Sequence, residues 1–259
     1  MSPTVATAAE LDVAAYALRL GDDALILAQR LSQWSACAPQ LEEDMALTNI
    51  ALDLLGQART LLTTAGALDG SGRSEDDLAY LRDEREFRNA RIVEQPNGDF
   101  ADTIARQLIF STYQLALYAE LTASACEPLA ALAGKAVKEV AYHRDHAVKW
   151  TLRLGDGTDE SHLRMQAALA RIWPWRHELF ACDELLARLL DAGVAADPAI
   201  LTAAWDPFVS NVIEQATLTR PDDRERRPAR GRYGEHGERF GYLLAELQWL
   251  HRSHPGASW

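Results

Sequence analysis

The sequence predicts an all-α protein: a four-helix bundle core with additional helices. Three observations carry that prediction. Alanine and leucine are abundant while β-branched runs are nearly absent, a balance that favours helix over strand. Apolar residues recur at three- and four-residue steps over long stretches, the pattern of amphipathic helices. Glycine and proline gather between those stretches, where chain reversals are needed. At 259 residues the chain is long enough to bury a substantial core, and one domain is the expected organisation.

The first helix is read from Ala14 to about Trp34, with Leu18, Leu25, Ala28 and Leu31 in phase. Pro39 breaks it, and a second helix begins at Leu41. Its stripe is Leu47, Ile50, Leu54 and Leu61, widened by Ala51, Leu55, Ala58 and Leu62. Residues 66–74 are a glycine-rich loop. The charge-rich stretch from Glu75 to Arg91 reads as a short solvated helix. Pro96 and Asn97-Gly98 make a turn, and Asp99 is placed to cap a third helix with the stripe Phe100, Ile104, Leu108, Ser111, Leu115 and Tyr118.

Glu127-Pro128 opens a fourth helix, proline being tolerated in a first helical turn. It buries Leu129, Leu132, Ala136, Val140, His143, Ala147 and Trp150 and ends at Gly155-Asp156-Gly157. The core pairs therefore span about 14–65 and 100–154. Added helices follow at about 159–191, bent at Pro174, at 198–218 behind the cap Asp197, and at 238–252.

The formal net charge of -12 argues against nucleic acid and against an anionic membrane surface as partners. No apolar stretch approaches the roughly 18–20 residues that span a bilayer. Met1 to Glu10 lacks a basic patch followed by an apolar core, so no secretory signal is expected and a cytoplasmic location is. Cys37, Cys126 and Cys182 share no metal-ligand spacing and read as buried, reduced thiols.

Candidate chemistry is sparse. His143 and His146 lie three apart on one helix, with Glu139 four residues before His143. A shared metal would want a carboxylate three residues before His143, and Val140 stands there; Glu139 is rotated by about 100°. His143 reads as a hydrogen-bonded core residue and His146 as partly solvated, with a free-standing metalloenzyme using both as the alternative. Asp22-Asp23 reads as a helix-dipole pair near a helix start, and Asp53, beside the second stripe, as a buried polar group or one that points to an interface. Arg220, Arg224, Arg226, Arg227, Arg230 and Arg232 form the one basic concentration, read first as a solvated, mobile loop and alternatively as a clamp for phosphates or an acidic partner. Trp173, Trp175 and Phe180 read as core or as an interface. No glycine-rich phosphate loop, CxxC pair or nucleophile elbow is present.

Several blocks resemble a known family over nearly the whole chain. They are Leu18 to Asp22, Asp53 to Arg59, the unusual run Val93 to Gln107, Lys138 to His143, Leu154 to Asp159, Leu244 to Gln248, and Pro255-Gly256 with the terminal Trp259. The family resembled is that of the C components of the bacterial phenylacetyl-CoA epoxidases, the multicomponent ring 1,2-monooxygenases of phenylacetate catabolism. The resemblance implies a ferritin-like fold and pairing with a homologous catalytic subunit that holds a di-iron centre and the substrate. It implies a structural role here, with no cofactor in this chain, and a further small subunit that joins such pairs by bridging them. Self-association of the isolated chain stays open, as does a role as scaffold for another CoA-ester or aromatic oxygenase.

Laying the ligand pattern of the catalytic subunit over this sequence, anchored on Gly56 and His143, places the ligand positions at Ala24, Leu54, Gln57, Ser111, Val140 and His143. Only His143 keeps a ligand type. The implied metal site is vestigial. A one-residue slip would bring in Asp23 or Asp53 without recovering a full set.

Overall fold

In a computed structural model that describes residues 6–223 and 230–257, the fold is all-α, consistent with a ferritin-like helical bundle, and the described residues contain no strand. They fall into two compact units, Met1–Pro96 with Arg230–Trp259, and Asn97–Ala229.

The first unit is built on α1 (Ala8–Ser32) and α2 (Leu41–Leu68). Thr7 and Glu10 form a reciprocal capping box that starts α1 earlier than periodicity alone indicates. The turn between the two helices is held by Asp44, which accepts the Ala36 backbone N–H at 2.6 Å. The helices pack closely where α1 carries Gly21: a Cβ there would lie 2.9 Å from Leu62 Cδ2 and 3.2 Å from Leu61 Cβ. Leu47, Ile50, Leu54, Leu61, Ala51, Ala58 and Leu62 are buried as their spacing predicts, whereas Leu55 is 44% exposed and belongs to the opposite face.

The stretch 75–91 is not a solvated helix. It forms a short π-helical segment, Asp77–Leu81, and a 3₁₀ turn, Glu84–Glu86, and then runs irregularly. Leu78, Arg82, Phe87, Asn89 and Ala90 are all buried. The alternation of charge and apolar residues reflects a strap with pinned charges. The last helix of this unit, α8, covers Phe240–Ser253. Its Gln248 donates to the carbonyls of Ala79 (3.1 Å) and Arg82 (3.0 Å), groups that the irregular strap leaves in need of partners.

The second unit is built on α3 (Phe100–Leu121) and α4 (Glu127–Gly155). Asp99 caps α3 as expected and shares a capping box with Asp102. The expected helix over 159–191 is instead α5 (Asp159–Ile172), a 3₁₀ run Trp173–Phe180, and α6 (Glu184–Asp191). Pro174 has no N–H to continue the ladder, so the α-helix stops there. Then α7 (Pro198–Gln215) follows its cap Asp197 and tolerates Pro207 within it. The core here is aromatic: Trp173 and Trp205 are buried with rings 5.6 Å apart, and Trp205 donates its indole N–H to the Ile109 carbonyl at 3.0 Å.

The three cysteines are free thiols, but Cys37 and Cys182 are exposed and Cys126 is half-buried. Each lies in a connection between helices and not on an apolar stripe, which corrects the expectation of burial. No helix among the described residues is long and apolar enough to cross a membrane.

Candidate functional site

The ligand-overlay positions are all interior. In the first unit, Ala24 on α1 and Leu54 and Gln57 on α2 are 0%, 0% and 2% exposed. In the second, Ser111 on α3 and Val140 and His143 on α4 are 2%, 0% and 1% exposed. The Ser111 hydroxyl is turned back on its own helix, donating to the Gln107 carbonyl one turn earlier. Alanine, leucine and valine offer no donor atom at all, and neither a Gln amide nor a Ser hydroxyl supplies the anionic oxygen that a carboxylate-bridged di-iron centre takes. These residues do not fit such a centre.

The alternative cluster on α4 is no better supplied. His146 is buried beside His143, not partly solvated, and the Tyr142 ring lies 6.4 Å from each imidazole. Glu139 is turned to the helix flank, where Lys135 approaches it to 3.7 Å. Among the described residues no group of three or more His, Cys, Asp and Glu side chains is arranged to hold a metal ion.

What periodicity and spacing do not reveal is a buried charge network inside the first unit. Asp22 and Asp23 lie in the middle of α1, not at its start, and are 0% and 2% exposed. Asp22 accepts from Arg82 through both guanidinium arms, one at 2.9 Å, and from the Arg88 backbone N–H at 2.7 Å. Asp23 accepts from Arg232 at 2.7 and 3.0 Å and from the Ala90 backbone N–H at 2.6 Å. Being adjacent, the two carboxylates point about 100° apart, and each collects a different arginine.

A third anchor is Glu94. It accepts from the His236 ring at 2.7 Å, the Gly237 N–H at 2.7 Å and the Asn89 amide at 3.2 Å. Its backbone carbonyl accepts from Arg30 at 2.7 and 3.0 Å. Burial pushes the Arg30 guanidinium below its ordinary pKa, and the charges of Glu94 and Glu246 oppose that shift. Charges taken out of water this way are tolerable only when paired and hydrogen-bonded. The network holds no exposed nucleophile or open ligand position, so its chemistry is that of a clamp. The signal for it was present in Asp22-Asp23, two carboxylates inside a continuous apolar helix.

The basic loop is likewise engaged. Arg220 pairs with Asp206 at 2.7 Å and Asp223 at 3.2 Å, Arg230 with Glu235 at 2.8 Å, and Arg232 with Asp23. Of these arginines only Arg232 is buried in its pairing, whereas Arg220 and Arg230 are 32% and 56% exposed and their pairs lie at the surface; Arg224, Arg226 and Arg227 lie outside the described residues. Asp223 also receives the Trp173 indole N–H at 3.0 Å, and Arg176 lies over the same indole ring, 4.2 Å from its centroid.

Comparison with known proteins agrees with the all-helical reading of the chain as a member of a known family. A family profile described as "phenylacetic acid catabolic protein" matches residues 2–259. The chain is also 49% identical, over 245 residues, to the C subunit of the 1,2-phenylacetyl-CoA epoxidase of Escherichia coli (strain K12), an alignment that covers 95% of this chain and 98% of that protein. The chain belongs to the phenylacetic acid catabolic protein family.

Proposed function

We propose that this chain is the non-catalytic structural subunit of a phenylacetyl-CoA epoxidase, pairing with and stabilising the catalytic di-iron subunit. The observation that carries this reading is the chemistry of the overlay positions: Ala24, Leu54, Gln57, Ser111 and Val140 are interior and none is a carboxylate or histidine. Carboxylates left in such places without a metal would repel each other and lose hydration. Their replacement by Ala, Leu and Val converts a ligand shell into ordinary packing, which stabilises a helical scaffold. His143 is retained for packing and hydrogen bonding.

The name of the E. coli relative supports the assembly and the substrate, since that protein is one part of an enzyme acting on phenylacetyl-CoA. In this reading the catalytic partner binds the thioester and uses O2 and reductant to epoxidise the ring, while a further small subunit joins the pairs by bridging them. This chain contributes shape and stability, from the cytoplasm, without touching the reacting atoms.

The test is metal content. The chain expressed alone in iron-replete medium is expected to carry essentially no iron, and iron is expected to appear in proportion to the co-purified catalytic partner. Stoichiometric iron on the isolated chain, lost in His143→Ala together with turnover, would establish the free-standing metalloenzyme instead. A catalytic–structural pair that oxidises other aromatic CoA esters but not phenylacetyl-CoA would reassign the scaffold to a different oxygenase.

A further inference from the structure

The α2 helix is apolar on two faces. Its buried face is the one expected, but Leu41, Met45, Leu52 and Leu55 are 74%, 59%, 58% and 44% exposed. With half-buried Thr48 and exposed Arg59 they follow a 4-3-4-3-4 spacing, so they form one straight seam along nearly five turns. Leucine and methionine at four of six successive seam positions make a contiguous apolar strip and not scattered exposure. A surface helix that serves only its own core has a polar outer face.

The seam ends in a recess. Leu55 and Arg59 form one rim of a pocket of about 240 Å³ whose other lining includes Leu25, Ala58, Leu62 and Ala79, with Tyr80, Glu75 and Asp76 at the mouth. Leu25, Ala58, Leu62 and Ala79 are buried, whereas Leu55, Arg59 and Asp76 are exposed and Glu75 and Tyr80 half-buried. The recess therefore sets an apolar base under a mixed rim, which admits an anchor side chain of a docked helix. Carboxylates border the strip on both sides: Glu42 and Asp53 share one flank of α2, and Glu75 and Asp76 close the other beside the pocket. The one basic group on the seam, Arg59, is already paired with Glu75 at 3.1 Å.

From this we infer that the exposed α2 seam, Leu41 to Arg59, is the docking surface for an apolar-faced helix with Lys and Arg on its flanks, contributed by the catalytic partner. The inference rests on the proposed pairing with that partner and adds where the pairing occurs. A second copy of this chain is the poorer occupant. It would set these acidic borders against each other, in a protein of net charge -12, and like-charge juxtaposition opposes association. A basic-flanked helix matches both the apolar strip and the negative charge of its borders, as e and g charges do in a coiled coil.

The test is co-expression of the tagged full chain with the catalytic partner from the same organism, followed by light-scattering mass and titration of the purified proteins. Leu52→Glu/Leu55→Glu is expected to weaken pairing by about 100-fold or more while lowering the thermal melt of the isolated chain only slightly, because the two side chains are already 58% and 44% exposed. Leu41→Glu/Met45→Glu, at the other end of the seam, repeats the test independently. Glu42→Lys/Asp76→Lys is expected to weaken pairing about tenfold and to reduce its salt dependence. Wild-type pairing that all three variants share undiminished would overturn the surface and leave the proposed function standing. Absence of wild-type pairing would overturn the function, and this occupant with it. Seam variants that change only the mass of the isolated chain would overturn the proposed occupant in favour of a second copy.

Discussion

Asp23, halfway along α1, grips Arg232 with both carboxylate oxygens, at 2.7 and 3.0 Å, although the two residues are 209 positions apart in the chain. The pair is 3% and 11% exposed. The same guanidinium also donates to the carbonyls of Arg19 at 3.1 Å and Arg88 at 3.0 Å. Removing one member leaves the other buried and uncompensated. Asp23→Ala is therefore expected to lower unfolding free energy by about 3–5 kcal/mol, measured by urea denaturation. Arg232→Met added to it should restore part of that loss, because the orphaned charge is gone. A single variant within about 0.5 kcal/mol of wild type would show that the pair is not a clamp.

Two glycines test how tightly the strap is seated. A Cβ on Gly231 would sit 2.2 Å from the Asn89 carbonyl oxygen, which is backbone held in the strap. A Cβ on Gly21 would meet Leu62 Cδ2 at 2.9 Å, the far end of a side chain that can turn. Gly21→Ala is expected to cost about 1–3 kcal/mol as an overpacked contact. Gly231→Ala should cost more, since carbonyl and loop must separate together. Equal costs for both would contradict this ranking.

The helices were legible because each obeys local rules. Asp99 and Asp197 announce helix starts through short-range capping, and the stripes of α2, α3 and α4 follow from period alone. The segment 75–91 was not legible, because local rules mislead there. Arg82, amid Asp83, Glu84 and Glu86, looks like one charge on a wet helix, yet its partner is Asp22, 60 residues earlier. Pairings over that distance leave no periodic trace. Leu55 failed for a related reason. A leucine beside a core stripe reads as core unless something distinguishes a second apolar face, and only exposure does so. At the overlay positions the residue types could be read by comparison with a ligand pattern, and Ser111 lies on a predicted stripe, whereas Gln57 lies off the stripe of α2 and its burial does not follow from period.

Acid should loosen the Trp173 corner of the second unit. Burial tends to raise the Asp223 pKa, but the Trp173 indole N–H and the Arg176 and Arg220 charges outweigh it, and the net shift is downward from 3.8. A carboxylate with a lowered folded pKa adds stability above its unfolded pKa and loses it as pH falls through the folded value. Stability should therefore decline below about pH 4, with Trp173 fluorescence changing alongside. Asp223 is 51% exposed, so solvent screening holds its share to about 1 kcal/mol or less. Asp223→Asn should flatten that part of the pH profile; an unchanged profile would exclude this carboxylate as a source.

Thiol chemistry offers a direct check on the connections between helices. Cys37 and Cys182 are exposed while Cys126, the residue before α4, is half-buried. With access setting the order, a disulfide reagent such as DTNB should modify two thiols quickly and a third more slowly in the native protein. Cys37→Ser and Cys182→Ser should each remove one fast equivalent. Three thiols that all wait for denaturant would contradict the exposed placement.

The most telling substitution returns the missing carboxylate. Val140 is fully buried one turn before His143, the place from which a glutamate would share a metal with that imidazole. Val140→Glu restores one ligand type, while Ala24, Leu54, Gln57 and Ser111 still offer no anionic oxygen. The new carboxyl takes the place of a packed valine and loses hydration. It is therefore expected to hold its proton well above the ordinary carboxylate range. Folding should weaken by about 3 kcal/mol or more, most strongly at high pH where the group must ionise. Iron content should stay at the wild-type level, because a single added Glu beside one His does not assemble a di-iron centre. A stable variant that gains iron would mean that the remaining positions had been misplaced, and that this scaffold is one substitution from a working centre.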